Sequence, residues 1–591
     1  MNVDCFSRNP RSAGPGDISR NGRQVLEARY LKRNEEGVVV ETPDEMFWRV
    51  ARTVAEADLS YESLASTAET AHTFFQIMRR LEFLPNSPTL MNAGCDAAQL
   101  SACFVLPVED SLDSIFETVK NMALIHKSGG GTGFSFSRIR PKGDPVRSTR
   151  GIASGPVSFM RVFDAATEAV KQGGVRRGAN MGILRVDHPD ILEFIEAKSN
   201  CRELRNFNIS VAVTDDFMKA SAAGSEYALI HPGSGKPAGH LNARDVFHRM
   251  CRRAWECGDP GIVFIDAINR SNPTPDLGSI ESTNPCGEQP LLPFEACNLG
   301  SINLARMTMS HGGRTVVDYP RLAQTVRTAV HFLDNVIDIN RYPLPQISAV
   351  TRGNRKIGLG VMGWADLLIQ LGVPYGTGQA LMLADKVMGF IRRLGHRASA
   401  DLGRIRGPYP TFPASRSAQD GDYCGRRNAT VTTIAPTGTL SIIAGCSGGI
   451  EPLFALSFSR RHVLDGEELQ EIHPGLLEEL NTRGLGKPAI LEAILKTGTL
   501  CEIAEIPEEM RTRYATAMEI SPEWHVQMQA AFQSHSDNAV SKTVNLPFAS
   551  TPEEVESVYR LAHKLGCKGI TVYRDHCRET QVLNIGCVAC A

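Results

Sequence analysis

The sequence predicts an α/β chain with parallel strands, set behind a helical N-terminal segment. Three observations lead there. MGILRV, NISVAV and GIVFID read as short strands rich in β-branched residues. Helical patterns such as HPDILEFIEAK and ARDVFHRMCRRAWE are interleaved with them, and strands that alternate with helices pair in parallel. Ahead of both, apolar residues recur at three- and four-residue spacing in MFWRVARTVAEADL and TAHTFFQIMRRLEFL, the period of amphipathic helices.

Taken in order, residues 1–22 are rich in Gly, Ser, Pro and Arg and predict a mobile arm. Residues 23–95 predict a helical domain, closed by LPNSPTLMNAG, whose two prolines suggest a turn or a ligand contact at Asn86, Ser87 and Thr89. SACFV around Cys103 reads as a buried strand. Asp110 and Ser111 then precede the helix SLDSIFETVKNMALIHKSG, where either would serve as an N-cap. GGGTGFSFSRIRP predicts a glycine-rich turn running into an alternating strand. Glycines without a strand before and a helix after them do not make a dinucleotide fingerprint. Arg138 and Arg140 would share a face, with Arg147 nearby, and such forked groups suit a phosphate unless they are simply solvated. GPVSFMRVFDAATEAV is an amphipathic helix suited to a second copy of the chain, followed by the basic loop KQGGVRRGAN. Helices are expected from Tyr319 to Ile339 and from Gly376 to Leu402. In NATVTTIAPTGTLSII a strand runs into Pro436, Thr437, Gly438, Thr439 and Leu440, which predict either an anion site at a helix start or a plain capped turn. Residues 457–520 look peripheral.

The stretch STNPCGEQPLLPFEACNLGSINL carries the chemistry. Asn284, Cys286 and Glu288 are spaced by two, so on an extended segment all three face one pocket, and Cys297 follows. Pro285 and Gly287 argue for a loop. The competing reading is a structural cysteine in a polar turn, since free cysteine is often buried. Near the end, Cys587 and Cys590 form a CxxC that suits thiol exchange, or zinc with His576 and Cys577.

Composition narrows the classes. A 42% hydrophobic and 22% charged chain is globular, and 591 residues exceed one ordinary core. A net charge of −2 offers no global field for nucleic acid or membrane. With no membrane-length apolar run and no secretory leader, a cytoplasmic location is expected, where fifteen cysteines do not make a disulfide framework.

Over about residues 24 to 583 the chain resembles the catalytic chain of ribonucleotide reductases. NPCGE, CNLGSINL, SACF, GTGFSFSRIR and PTGTLS occur together and in that family's order. The resemblance implies a ten-stranded α/β barrel of two parallel five-stranded halves with a central finger loop, spanning 96–575, and a tail at 576–591. It implies that Cys286 carries a transient thiyl radical, that Glu288 takes a proton from the ribose, and that Asn284 holds the sugar. Cys103 and Cys297 would supply two electrons, with Cys587 and Cys590 re-reducing them and a thioredoxin-like donor recharging the tail. Thr89, Ala102, Gly131 and Pro436 through Leu440 fall where the family binds the substrate nucleotide. Asp110, Ser111, Leu112, Arg140 and Arg147 fall where it binds a deoxynucleotide effector, and the loop with Lys171, Gln172 and Arg176 would report that effector. A homodimer is implied. Tyr573 is followed by Arg574, not by a second tyrosine, and a glycyl-radical segment is missing. The residue set is therefore similar to the adenosylcobalamin-dependent class, whose metal is the cofactor's cobalt. The alternatives are the large subunit of a two-protein reductase and a nucleotide-binding or redox-exchange protein without radical chemistry.

Overall fold

The computed structural model describes residues 18–61, 63–96, 98–146, 151–170, 178–200, 203–419, 425–460 and 469–577. Helices Arg20–Arg29, Pro43–Ala55 and Leu64–Arg79 open the chain. The second begins with a capping box between Thr42 and Glu45, which satisfies two otherwise orphaned backbone donors. LPNSPTL is not the simple turn expected: Ser87–Asn92 is a short helix, because Pro88 falls in the first turn, where a missing N–H costs nothing.

Ten strands form one sheet: β1 Phe83–Pro85, β2 Cys103–Val105, β3 Gly131–Ser135, β4 Asn180–Arg185, β5 Phe207–Val213, β6 Gly261–Phe264, β7 Glu295–Asn303, β8 Ile357–Met362, β9 Thr543–Leu546 and β10 Gly569–Arg574. β2 through β6 pair in parallel, each with the next. β7 and β8 are parallel, as are β9 and β10. Single parallel bridges, Leu359 with Thr432 and Ile434 with Val540, join these two pairs. The two halves meet antiparallel, β2 against β7 and β6 against β10, and the ring closes. The strand expected at VTTIA is thus extended backbone held by isolated bridges, while antiparallel β1 adds itself beside β7.

Strand residues alternate between the barrel interior and the helices outside. Cys103, Val105, Cys297 and Leu299 share an interior cluster. Phe104 and Ala296 point outward into the core shared with helices Leu112–Lys127, Pro156–Ala169 and Ala243–Cys257. Residues 474–514 build a smaller core around Leu480, Ile494 and Met510, shared with Ala365, Leu453 and Leu456.

Candidate active site

The interior is occupied by a hairpin from the chain itself. Ser282–Thr283 pairs antiparallel with Pro290–Leu291, and the turn between them is closed by Gly287 N donating to the Asn284 carbonyl at 3.0 Å. Gly287 has φ 83°, a left-handed conformation that glycine adopts without penalty. The segment is therefore a turn and not extended. Asn284 and Glu288 both reach back to Cys103, with Asn284 Nδ2 donating to Sγ at 3.1 Å and Sγ 4.0 Å from Glu288 Oε1. Cys286 sits at the tip, exposed to a cavity of about 220 Å³ that is also lined by Asn208, Ser210, Pro436 and Thr543.

The glycines of GGGTG make room for this hairpin. A Cβ on Gly133 would lie 1.7 Å from the Thr283 carbonyl oxygen, and one on Gly131 2.9 Å from the Pro285 ring. From the opposite half, a Cβ on Gly358 would meet Gln289 at 2.7 Å. Close approach by the protein's own loop is the demand these glycines meet. Two further residues hold the hairpin. Asn208 Nδ2 donates to the Pro285 carbonyl at 2.8 Å, and the Glu288 carbonyl accepts from Ala539 N and the Thr433 hydroxyl, each at 3.0 Å. Neither Asn208 nor Thr433 stood out in the sequence, since one amide and one hydroxyl among β-branched residues carry no pattern.

Cys103 and Cys297 are direct partners across the β2–β7 ladder. Residues so paired have Cα atoms about 4.5–5.5 Å apart, inside the roughly 4.4–6.8 Å that a disulfide spans. Burial pushes the Cys297 thiol well above its ordinary range, and Glu295 pushes the same way. Cys297 is therefore kept as a protonated thiol. Glu295 is itself buried and neutralised by Lys356 Nζ at 2.7 Å.

Of the other predicted residues, Ala102 lies between two strands. Its N–H donates to the Cys297 carbonyl at 3.2 Å, and its carbonyl accepts from Gly131 at 2.8 Å. Thr89 is buried, with its hydroxyl against Asn86 Oδ1 and the Leu100 carbonyl. Thr437 adopts φ 51° at the start of helix Gly438–Ala444, and its hydroxyl accepts from Gly449 N at 2.8 Å. Thus Ala102, Gly131 and Pro436 gather around the hairpin, with Thr437 through Leu440 continuing from Pro436. Asp110, Ser111 and Leu112 form a separate group. Ser111 caps helix Leu112–Lys127, and Asp110 pairs with Arg140 at 2.8 Å. β3 ends at Ser135 and a turn follows, so Arg138 and Arg140 do not alternate along a strand; Arg138 pairs with Glu109 and Glu281. Arg147, Lys171, Gln172, Arg176, Cys587 and Cys590 lie outside the described residues.

A closed α/β barrel with a thiol at the tip of an internal hairpin and a cross-strand dithiol behind it defines a thiol-dependent oxidoreductase. Residues 101–573 match the family described as "Ribonucleotide reductase, barrel domain", and residues 17–97 match "Ribonucleotide reductase, all-alpha domain". The chain belongs to the ribonucleotide reductase family, and its reaction is the reduction of ribonucleotides. It is 47% identical to the vitamin B12-dependent ribonucleoside-diphosphate reductase of Thermoplasma acidophilum, over 96% of this chain and 80% of that protein. It is 49% identical to the protein of the same name from Mycobacterium tuberculosis, over 95% and 80%. The Actinobacillus ureae class Id ribonucleotide reductase alpha subunit shares the fold, with a TM-score of 0.77 at 23% identity over 95% of this chain and 99% of that one.

Proposed function

We propose that this chain reduces ribonucleoside diphosphates to 2′-deoxyribonucleoside diphosphates by thiyl-radical chemistry, with adenosylcobalamin as the resident cofactor. The observation that carries this reading is the juxtaposition of Asn284, Glu288 and the Cys103–Cys297 pair beneath the Cys286 turn. Cys286 gives up its thiol hydrogen atom and takes one from C3′ of the ribose. Glu288 accepts the 3′-hydroxyl proton, and Asn284 donates to the sugar. Cys103 and Cys297 together release two electrons and two protons. The 2′-hydroxyl leaves as water, a disulfide forms, Glu288 returns the proton to the 3′ oxygen, and Cys286 returns the hydrogen atom to C3′. Cys587 and Cys590 then reduce that disulfide by exchange, and a thioredoxin-like protein reduces them in turn.

Bound adenosylcobalamin supplies the initiating radical by homolysis of its cobalt–carbon bond. The cavity beside Cys286 fits its deoxyadenosyl end. Asn208, Ser210 and Thr543 bring polar groups there, and Gly261 leaves open a space where a Cβ would come within 3.1 Å of Ser210 Oγ. The position after Tyr573 speaks against a tyrosine relay from a partner subunit. Arg574 is buried, with its guanidinium 4.2 Å from the Trp255 ring and 5.2 Å from the Phe548 ring, packing that builds the wall and carries no electron. The Chlamydia trachomatis ribonucleoside-diphosphate reductase subunit alpha is 28% identical, below the 47% and 49% of the two B12-dependent relatives named above. The residues at Asp110, Ser111, Leu112, Arg140 and Arg147 bind a deoxynucleotide effector on a homodimer.

Anaerobic reduction of CDP and CTP with and without adenosylcobalamin tests the reading. CDP reduction only with the cofactor is expected. Turnover that ignores adenosylcobalamin and requires an added metalloprotein would sink it.

A further inference from the structure

A second cavity, of about 540 Å³, opens at the barrel end where residues 429–430, 536–537 and 568 lead into their strands. Pro436 through Leu440 follow the opposite end of the 432–434 segment and do not line this cavity, which meets the cavity beside Cys286 at Lys568. Arg270, Arg392, Arg416, Arg426 and Lys568 line this cavity, and Asp537 is the single carboxylate among its described lining residues. Asp537 is already engaged, accepting from His396 at 2.8 Å and from Val431 N at 2.9 Å, with Arg392 at 3.7 Å. Arg270 holds Asp215, and Arg416 reaches the Arg270 carbonyl. Lys568 donates to the carbonyls of Asp537 and Asn538 at 2.6 and 2.8 Å, so its charge meets no carboxylate at contact distance. The Arg426 charge helps hold the Asp537 carboxyl down, and its buried Nη1 has no hydrogen-bond partner among the described residues.

Positive charge held this close in a partly desolvated concavity is costly without a counter-ion. Burial brings the Lys568 ammonium down to about 8, with Lys356 and Arg392 pressing the same way against Asp537. Guanidinium forks match phosphate oxygens. The space exceeds that of one small ion, given about 30 Å³ for a water. No aromatic side chain lines it among the described residues, so no base would be stacked. We propose that this cavity binds a phosphate chain, whether inorganic triphosphate or the phosphates of a nucleotide, at a place separate from the substrate residues.

The test is calorimetric titration of the full chain with inorganic tripolyphosphate, in excess CDP so that the substrate site is filled, and in parallel with ATP. It needs no turnover, so its outcome is independent of the radical chemistry. One saturable site is expected, weakening as salt rises. Arg392→Gln/Arg426→Gln is expected to bind about tenfold more weakly, with CDP reduction unchanged. Should the double variant not fold, Arg392→Gln, on a half-exposed side chain, carries the test with a loss of about threefold. Comparable affinities for tripolyphosphate and ATP support a phosphate-chain site. Absence of binding below about 1 mM, unchanged affinity in the variants, or binding of ATP alone would overturn it.

Discussion

At Gly133 a single hydrogen atom decides whether the hairpin fits. A Cβ there would overlap the Thr283 carbonyl at 1.7 Å, a backbone atom that no rotamer change can move aside. Gly133→Ala is therefore expected to displace the hairpin and lower CDP reduction by at least about a hundredfold, since misplacements of about 1 Å cost that much. The rest of the fold, read by thermal midpoint, should change by far less, and near-normal turnover would contradict the fit. On the outer face of the same strand, Thr132 donates its hydroxyl proton to Asn180 Oδ1 at 2.6 Å. It must then accept from His126 Nε2–H at 2.9 Å. Asn180 Nδ2 continues the chain to Thr167 at 2.8 Å. Burial lowers the pKa of His126 from 6.5 to about 4. Because the unfolded chain binds that proton first, stability falls as pH drops from 6.5 toward 4. Between pH 7 and 5 the loss from this residue is about 2 kcal/mol. His126→Gln, which keeps a donor but does not titrate, should show a smaller drop in thermal midpoint over that interval. An identical drop would remove His126 from the account.

Among the elements, the strands and long helices were legible because their periods are local. Tyr319–Ile339 forms as expected, and MGILRV, NISVAV and GIVFID all lie in the first parallel half. What escaped was set by distant contacts. VTTIA is extended but bridged at single residues, and the Asn284–Glu288 segment forms the loop that Pro285 and Gly287 suggested, so Asn284 and Glu288 reach Cys103 from a turn and not from an extended alternation. Equally invisible was the buried charge cluster that binds the N-terminal helices to the barrel. Asp334 is fully buried and meets Arg355 at 2.8 Å, Arg406 at 3.3 Å and Arg427 at 3.4 Å. Arg406 also pairs with Asp58 at 2.6 Å and stacks on Tyr61. Burial raises the Asp334 carboxyl, but Arg355, Arg427 and Arg406 outweigh it and hold it below the usual range. Asp334→Asn would leave three guanidinium groups short of a charge. Breaking such a pair costs about 3–5 kcal/mol, and urea unfolding followed by circular dichroism should register a loss of that order. A change under about 1 kcal/mol would show that Asp338 and Asp58 suffice.

For the whole molecule the open question is what covers the helix Leu112–Lys127. Its inner residues Ile115, Met122 and Ile125 enter the core beside helix Pro156–Ala169. Its outer side carries Leu112 at 63%, Phe116 at 53% and Leu124 at 41% exposure, spaced by four and eight residues and therefore aligned on one face. Lys120 stands between Phe116 and Leu124, and exposed apolar side chains such as the Leu112–Phe116 pair suit an association surface. We propose that a second copy covers it, offering the same face about a two-fold axis. The sequence pointed to the neighbouring helix at 155–170 for this role, and Leu112, Phe116 and Leu124 lie on the helix that shares its core. Leu112 also adjoins Asp110 and Ser111, so the proposed effector residues stand at the edge of that surface. Phe116→Glu would put a carboxylate against its own symmetry mate. The variant should remain folded but run as a monomer in light scattering at concentrations where the parent is expected to run as a dimer. It should keep basal CDP reduction yet lose the change in substrate preference that deoxynucleotides produce. A variant that stays dimeric would place the association surface elsewhere. One that becomes monomeric while keeping its full effector response would separate regulation from assembly.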